Sequence, residues 1–438
     1  MESNRIANTN PCISFYLLLL LALFGHIGNM RAQYASLGLE EAYGLARTNY
    51  PLIKDGPLLE NIAEINLQVL NRKRLPTVDL VGLGQVQSEN VQIGTEDPNS
   101  PISVSVPLES YRSYLDINYN LFDGGLTRAS KKAETTQLKV NQQALQVNLR
   151  NLKDQVNTLF LNILLLQQQK DLLAISKEDI VTNISLLQAG YDNGTVLESE
   201  LAKLQVRKIE LESEEISLQG DIDAFLEVLS KLLGAVVTNN TLLTLPEPIF
   251  QEQAALAITR PEQKLFEYQR ELLEIQKRKF DADRLPKLSL FAQGGVGYPN
   301  PLNFADISTS TYGLGGVRLN WNIVDWGVSK KEKKKIDLQK QQIAVDKEVF
   351  EFDIQKSERE SLQKLNALNA QIEKDRQIVA LQSEILKQTA VQLQEGVINS
   401  NDYVMQVNAE LSARQQLELH LVQKQKLQIE YLTLFGKL

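Results

Sequence analysis

Two short segments of the chain alternate apolar and polar residues, as a strand with two different faces requires. In YLDINYNLF, residues 114–122, Leu115 and Ile117 fall on one face while Asp116 and Asn118 fall on the other. The segment VRLNWNIV, residues 317–324, repeats the alternation, and a looser apolar segment precedes each of the two. A period of two residues is the signal of a β-strand. The pattern therefore predicts four strands, at about 76–88, 112–122, 286–298 and 311–324, with a bulge at Gly315-Gly316.

The first alternating segment ends in Asp-Gly and the second in Asp-Trp-Gly, and after each the chain carries the pattern of a very long helix. No Gly or Pro occurs for 64 residues after Gly125 or for 68 residues after Gly327. Apolar residues recur every seven positions from Leu138 to Leu187, from Leu197 to Leu232 and from Leu365 to Leu393. Sustained heptads indicate a coiled coil. We predict long helices at about 126–188, 197–233, 328–394 and 400–435, joined in pairs by glycine turns.

The two halves of the chain repeat one another. RLPTVDL at 74–80 recurs as RLPKLSL at 284–290, and Asp123 and Asp325 follow at equivalent places. We therefore predict two structural repeats, at 34–245 and 246–438. A basic residue, an apolar run and small Ala32 at the N-terminus predict a signal peptide over residues 1–33.

Composition excludes several classes of function. The net charge of −8 argues against a nucleic-acid partner. The one basic cluster, KKEKKK at 330–335, is interpreted as a solvated helix start. Cys12 lies in the predicted signal, so the mature chain has a single histidine, His420, in a polar helical stretch where we expect it to be exposed. We therefore predict no enzyme, with no catalytic residues, no metal site and no cofactor.

Four strands from one chain cannot close a barrel, and open sheet edges promote aggregation. Strands with one apolar and one polar face suit lipid outside and water inside. A bilayer admits only closed β-structures, so several chains would have to contribute strands to one barrel. The alternative is a soluble periplasmic coiled-coil scaffold or adaptor, in which the same strands form a small soluble sheet.

The sequence resembles the TolC-type outer-membrane factors, the outer-membrane efflux protein family. The resemblance rests on segments found in the same order in each half: LGLEEAYGLARTNYP and AALAITRPE, both RLP motifs, NLFDGG and NIVDWG, YDNGTVLESELA and LQEGVINSNDYVM. It implies a homotrimer with one 12-stranded barrel, four strands per chain, continued by a coiled-coil periplasmic tunnel. It also implies the exit duct of a tripartite efflux pump or type I secretion system, with a periplasmic adaptor, an inner-membrane transporter and outer-membrane lipid as partners.

The same resemblance implies roles for individual residues. Asp402, and Glu200 at the equivalent place in the first half, match acids near the narrow end of the tunnel. Met405 and Ile398 stand where relatives often carry a second acid and a basic link. The hairpin ends imply adaptor docking at Gly190, Asn193, Gly194, Thr195, Gly396, Val397 and Asn399.

The strand-to-helix junctions form the remaining candidate region. The turn residues are Asp123, Gly124, Gly125, Asp325 and Gly327. Aromatic residues favour membrane interfaces, where the ring body meets lipid and its polar edge meets water. We therefore predict interface positions for Tyr119, Phe122, Trp321 and Trp326, with ordinary packing around the junction as the alternative.

Overall fold

The structure is a computed structural model that describes residues 34–89, 92–94, 103–246, 257–303 and 306–437. The predicted signal peptide and parts of the two strand-connecting loops lie outside the described residues. The chain forms two compact units. One comprises the described parts of Met1–Ile53, Leu149–Leu256 and Glu358–Leu438, and the other comprises the described parts of Lys54–Asn148 and Ala257–Ser357.

The first half of the chain contains a short helical region, two long strands and two long helices. Its elements are β1 (Ser36–Gly38), α1 (Leu39–Asn49), a 3-10 turn (Pro51–Lys54), α2 (Asp55–Arg72), β2 (Thr77–Val86), β3 (Gln92–Gly94), β4 (Ser103–Ser105), β5 (Glu109–Phe122), α3 (Leu126–Asp192), α4 (Glu198–Leu233) and β6 (Leu242–Thr244).

The second half of the chain has the long elements in the same order. They are α5 (Pro261–Asp283), β7 (Lys287–Tyr298), β8 (Ser310–Asn320), α6 (Val328–Gln394) and α7 (Ser400–Leu434). Helices α3 and α6 have 67 residues each, so each is about 100 Å long at 1.5 Å per residue.

The four long strands form one antiparallel sheet in the order β2-β5-β7-β8. Strands β2 and β8 are its edges, and each pairs along only one side within the described residues. Short β1 and β6 pair in parallel in the other unit, and β3 pairs with β4.

Two details of the sheet differ from the prediction. Strand β8 ends at Asn320 rather than near 324, because residues 321–324 run on without ladder partners among the described residues. The register between β7 and β8 is continuous through Gly315 and Gly316, so the bulge predicted there is absent. The register shift instead lies in β5, between Asn120 and Phe122, immediately before the helix. Gly316 serves close packing, since a Cβ there would lie 3.1 Å from the Phe291 ring opposite it.

The long helices bury narrow apolar rows towards the hairpin ends and a broader face farther from them. In one cluster, residues of α3, α4, α6 and α7 meet: Leu173, Ile180, Leu187, Leu201, Leu204, Leu211, Leu386, Leu393, Tyr403, Val407 and Leu411. Around Val156 and Phe160, α3 is buried more widely because α1, α4 and the β1–β6 pair also pack there. The seam is therefore broader in this region than the heptads alone predicted.

Polar side chains also join the helices of each hairpin. Lys177 and Lys170, which interrupt an apolar row of α3, bond Glu215 at 2.5 Å and Gln219 at 2.6 Å on α4. Polar layers of this kind help to set the register of a coiled coil.

The compact units do not follow the predicted repeats. Each repeat contributes residues to both units, because α3 and α6 each supply residues to one unit in their first part and to the other in the rest. The repeats at 34–245 and 246–438 therefore stay a prediction about sequence duplication.

Candidate functional site

The four-stranded sheet has one apolar and one polar face. Cross-strand pairs on one face include Leu80 with Leu115, and Leu290 with Tyr119 and Val317. The alternation expected from the sequence is confirmed, since the apolar side chains of β5 are exposed while their polar neighbours are half-buried. We call these residues the apolar face: Val78, Leu80, Val86, Tyr111, Leu115, Ile117, Tyr119, Leu121, Leu288, Leu290, Ala292, Val296, Val317 and Leu319.

The opposite face of the sheet carries a polar network. Asp116 accepts hydrogen bonds from Asn118 at 2.9 Å and from Gln293 at 3.0 Å. The Arg318 guanidinium lies 4.9 Å from the centre of the Phe291 ring. A face of this composition is suited to contact with water, and the apolar face is suited to contact with lipid.

An aspartate organises each strand-to-helix junction. Asp123 accepts the backbone N–H of Gly125 at 3.0 Å and of Thr127 at 2.8 Å, together with the Thr127 hydroxyl. Asp325 accepts the backbone N–H of Gly327 at 2.9 Å and of Ser329 at 3.0 Å. Both carboxylates thus satisfy the first amides of a long helix, which otherwise lack acceptors.

These bonds keep both aspartates ionised. Partial burial alone would raise the pKa of Asp123, but the bonds from Thr127 and Gly125 outweigh it and the pKa is lowered. Hydrogen bonds from Ser329, with that from Gly327, lower the pKa of Asp325 to about 2.

The residue after each aspartate takes the left-handed backbone conformation, but it is a packed glycine at the first junction and an exposed tryptophan at the second. Gly124 has a φ of 69°, and a Cβ there would lie 2.4 Å from the Ala282 carbonyl oxygen. Trp326 has a φ of 54°, and 93% of its surface is exposed. A non-glycine residue with this backbone is strained by about 1–2 kcal/mol. Trp326 therefore combines an unfavourable backbone with a large ring in contact with solvent.

The other predicted interface aromatics also lie at the end of the sheet. Tyr119 and Phe122 are exposed on β5, and Trp321 is exposed just after β8. The Trp321 indole N–H donates to the Arg284 carbonyl at 3.1 Å, so its polar edge is satisfied while its ring stays accessible.

The two helical hairpins end in the same hydrogen-bonded turn. Thr195 N–H donates to the Gly190 carbonyl at 2.9 Å and Gly194 N–H to Tyr191 at 2.8 Å. In the second hairpin, Val397 N–H donates to Gln392 at 2.8 Å and Gly396 N–H to Leu393 at 3.1 Å. Gly194 and Gly396 have φ of 73° and 71°. This is the Schellman arrangement, in which glycine takes the left-handed position.

The predicted docking residues surround these turns. In the first hairpin, Asn193 and Thr195 also bond Ala189 and Gly190 through their side chains, at 2.8 and 2.9 Å. A Cβ on Gly190 would lie 2.6 Å from Val196, so glycine is needed for that close approach. Asn399 caps α7 by accepting from the amides of Asn401 and Asp402.

Glu200 joins the two hairpins within one chain. Its Oε2 accepts the backbone N–H of buried Ser400 at 2.7 Å, and its Oε1 accepts from Lys203 at 2.8 Å. These bonds, that of Lys203 first, lower the pKa of Glu200. A carboxylate at a helix N-terminus is favourable because the macrodipole is positive there.

Asp402 differs from Glu200 although both stand six residues after a turn glycine. Its carboxylate is exposed and has no hydrogen-bond or ion-pair partner among the described residues. The structure therefore brings Glu200 into the contact between the hairpins and leaves Asp402 at the surface of the chain.

Two groups between the helices were missed or misjudged from the sequence. Tyr403 is fully buried, and its hydroxyl accepts a hydrogen bond from Asn183 at 2.7 Å. The spacing of four residues between Tyr403, Val407 and Leu411 places them on one face of α7, and this pattern could have predicted that Tyr403 is buried. The expected exposure of His420 is wrong, because its Nδ1 lies 2.5 Å from Asp375 Oδ2 and its side chain is 15% exposed.

A comparison with protein families gives a match to the family described as outer membrane efflux protein over residues 42–235. This segment runs from α1 to the end of α4 and includes two long strands, the first junction and the first hairpin. The match covers less than half of the chain and agrees with the family resemblance of the sequence motifs. A comparison with curated protein sequences gives no match.

Solved outer-membrane channels share the fold of this chain. CusC, described as forming a transmembrane channel, aligns with a TM-score of 0.66 at 16% identity, over 91% of this chain and 92% of CusC. The CmeC outer membrane channel of Campylobacter jejuni aligns with a TM-score of 0.62 at 14% identity, over 91% of this chain and 85% of CmeC. The outer membrane protein VceC of Vibrio cholerae aligns with a TM-score of 0.61 at 14% identity, over 91% of this chain and 96% of VceC.

The family match over residues 42–235 and the shared fold support the same general role. They support an efflux channel of the bacterial outer membrane with a large periplasmic portion. Within the described residues, no group of three or more His, Cys, Asp or Glu side chains could hold a metal ion. No helix in the described ranges combines the length and apolarity needed to cross a membrane.

Proposed function

We propose that three copies of this chain form the exit duct of a tripartite efflux pump or a type I secretion system. Four strands from each copy make one 12-stranded barrel, and the helices make a periplasmic tunnel. Transport through the duct is passive, since an inner-membrane transporter supplies the driving force through a periplasmic adaptor.

The observation that carries this proposal is the sheet with two open edges and one apolar face. Strands β2 and β8 each leave one row of backbone N–H and C=O groups unpaired among the described residues. Such groups are tolerated in lipid only when another strand pairs with them. Pairing β8 of one copy with β2 of the next satisfies both edges and turns every apolar face outward.

The helices support assembly independently. Besides the buried rows, α4 and α6 carry apolar residues on exposed faces, among them Val206, Ile209 and Ile216, and Ile378, Leu381 and Ile385. Ile209 and Ile216 are seven residues apart, and Ile378 and Ile385 have the same separation. Exposed heptad positions are typical of coiled-coil helices that lack a partner. Helices of neighbouring copies would cover them.

The hairpin ends suit contact with an adaptor. Leu197 and Val397, close to the two turn glycines, are each 71% exposed. Each of these apolar side chains would lie beside a turn glycine, Gly194 or Gly396, which has no side chain of its own. A second helical hairpin could approach closely there, which favours coiled-coil docking.

Asp402 is proposed as the aperture acid. Its carboxylate is exposed near the end of the hairpin and is not used in the contact between hairpins. Three copies around one axis would form a ring of negative charge that favours cations. Glu200 instead would hold the two hairpins of one copy together.

The lipid-facing role of the apolar face is tested by a matched pair of variants in β7. Ala292 is exposed on the apolar face, whereas the adjacent Gln293 lies on the polar face beside Asp116. Arginine at a lipid-facing position near the membrane midplane costs about 2–4 kcal/mol. We expect Ala292→Arg to abolish the heat-sensitive trimer in outer-membrane fractions, while Gln293→Arg assembles normally.

The same measurement separates the channel from the soluble alternative. If the wild-type protein is recovered from the soluble periplasm, or if both arginine variants assemble equally well, the proposed barrel is wrong. A soluble scaffold would then be the better interpretation.

The aperture is tested by conductance in planar bilayers. Asp402→Ala should move the reversal potential in a salt gradient towards the value of an unselective pore, because it removes the negative ring. Asp402→Glu keeps the charge and should keep the cation preference. An unchanged reversal potential in the alanine variant would remove Asp402 from the aperture.

A further inference from the structure

A basic cleft lies at the first strand-to-helix junction, beside the apolar face. It has a volume of about 390 Å³, and its lining includes Lys73 and Arg74 after α2 and Arg128 and Lys131 in the first turns of α3. Leu121 and Phe122, the last residues of β5, also line it. The cleft therefore joins four cationic side chains to the exposed apolar end of the sheet.

The described residues balance the positive charge of this cleft only in part. Among the described residues, Lys73, Arg74 and Arg128 form no ion pair, and Lys131 bonds the neutral Asn71 amide oxygen. The one acidic lining residue is Asp123, whose carboxylate oxygens already accept three hydrogen bonds from Gly125 and Thr127. Four cations thus face one carboxylate, which leaves the lining with an excess of positive charge.

We propose that this cleft binds the phosphate headgroup of an anionic phospholipid in the periplasmic leaflet. Lysine and arginine near a membrane surface attract anionic headgroups. The exposed side chains of Leu121 and Phe122 lie next to the cations, where the first acyl carbons of the same lipid would begin. A soluble anion would use the cations alone, so the apolar lining favours a lipid.

The second junction repeats the combination. Lys330, Lys331 and Lys334, at the start of α6, form no ion pair with described residues. They follow Trp326, the most exposed aromatic among the described residues. The basic cluster at residues 330–335 thus follows the second junction as two cations of the cleft follow the first. Both junctions place cations just beyond an exposed aromatic ring.

The proposal rests on the membrane position of the sheet, and it is tested with a reporter in the cleft. The chain has two tryptophans, Trp321 and Trp326. Replacing both by Phe and introducing Phe122→Trp places one fluorophore at the cleft. The trimer is reconstituted in vesicles of phosphatidylcholine with a minor fraction of phosphatidylglycerol, and either lipid is brominated high on its acyl chains. Bromine quenches a neighbouring tryptophan.

We expect brominated phosphatidylglycerol to quench the reporter more than its share of the bilayer predicts. The variant Lys73→Gln/Arg74→Gln/Arg128→Gln should lose this preference, by about fivefold for each cation removed. Its matched control, Lys356→Gln/Lys374→Gln/Lys387→Gln, removes three exposed cations of α6. The control should keep the preference.

A second measurement avoids the reporter substitutions. Native mass spectrometry of the wild-type trimer should show bound phosphatidylglycerol that the cleft variant loses and the control variant retains. The proposal is overturned if both brominated lipids quench equally, if the cleft variant keeps the preference, or if millimolar inorganic phosphate displaces the lipid. Because trimer assembly and conductance are measured on the same preparations, a normal channel without lipid preference refutes the cleft alone.

Discussion

The two strand-to-helix junctions share the same aspartate cap but differ in the residue that follows it. In each, an aspartate accepts hydrogen bonds from the backbone N–H groups two and four residues further on. The residue directly after the aspartate has a positive φ. At the first junction that residue is Gly124, packed on the Ala282 carbonyl. At the second it is Trp326, which is almost fully exposed. Both junctions need the aspartate cap. Whether the next residue is a glycine depends on the space that its side chain would occupy.

The difference shows that the residue after the aspartate is packed by protein at the first junction and exposed at the second. A Cβ cannot fit at Gly124, so packing explains the glycine. Nothing in the described packing of Trp326 offsets its strained backbone or its exposed ring. A position at the membrane interface would offset both, since an indole ring gains free energy there.

The largest effect is expected at Gly124. Gly124→Ala combines a left-handed alanine with a Cβ that would lie 2.4 Å from a carbonyl oxygen, so we expect a loss of about 2–5 kcal/mol. Thermal dissociation of the trimer in detergent measures it. Gly125→Ala is the control, because Gly125 has a φ of 85° and a Cβ added there would have no atom within 4 Å. It should lose only about 1–2 kcal/mol. Equal losses would show that the contact with Ala282 is unimportant.

Removal of the first cap should have the next largest effect. Asp123→Ala leaves the amides of Gly125 and Thr127 without acceptors, and loss of a cap costs about 0.5–2 kcal/mol. The same thermal measurement applies, with Asp123→Asn as the partial variant because its amide retains one acceptor oxygen. If alanine and asparagine lose the same stability, the cap is not the source of the effect.

The contribution of Asp325 should depend on pH. Its pKa falls to about 2 in the folded protein, below the ordinary value near 3.9. A lowered pKa means that the ionised cap stabilises the fold fully above about pH 4, and that this stability is lost as the pH falls towards 2. The difference in thermal midpoint between wild type and Asp325→Ala should therefore be constant near neutrality and shrink on acidification. A difference that stays constant down to pH 2 would contradict the assignment.

The smallest effect is expected at Trp326. Trp326→Gly relieves the left-handed backbone and should stabilise the junction in detergent by about 1 kcal/mol. Trp326→Ala removes the ring but keeps the strain, so it should bring no gain. Equal stabilisation by both variants would assign the effect to the ring rather than to the backbone. Slower hydrogen exchange at the Gly327 and Ser329 amides would locate the gain at this junction.

Much of the fold follows from periodicities that the chain carries in itself. The alternation at Leu115, Asp116 and Ile117 assigns two faces whatever the strand pairs with. The glycines at 194 and 396 end the long helices because the turn requires a positive φ. The family resemblance rests on the order of such motifs, and the family match and the shared fold confirm it.

Other features could not be read from spacing. Glu200 and Asp402 stand at equivalent positions, yet only Glu200 bonds the helix start of the other hairpin, because Ser400 lies beside it. His420 and Asp375 are 45 residues apart and meet only when α6 and α7 pack. The register shift lies not at the glycine pair of β8 but at the end of β5, where the strand turns into its helix.

By itself, the sequence determined the length of the helices, the two faces of the strands and the places where the chain turns. These depend on local backbone preferences and on the separation of apolar residues, which a single chain encodes. The tertiary structure alone decided which of two equivalent residues is packed and which is exposed. Gly124 meets Ala282 and Trp326 meets no such neighbour among the described residues, because side-chain surroundings depend on residues distant in sequence.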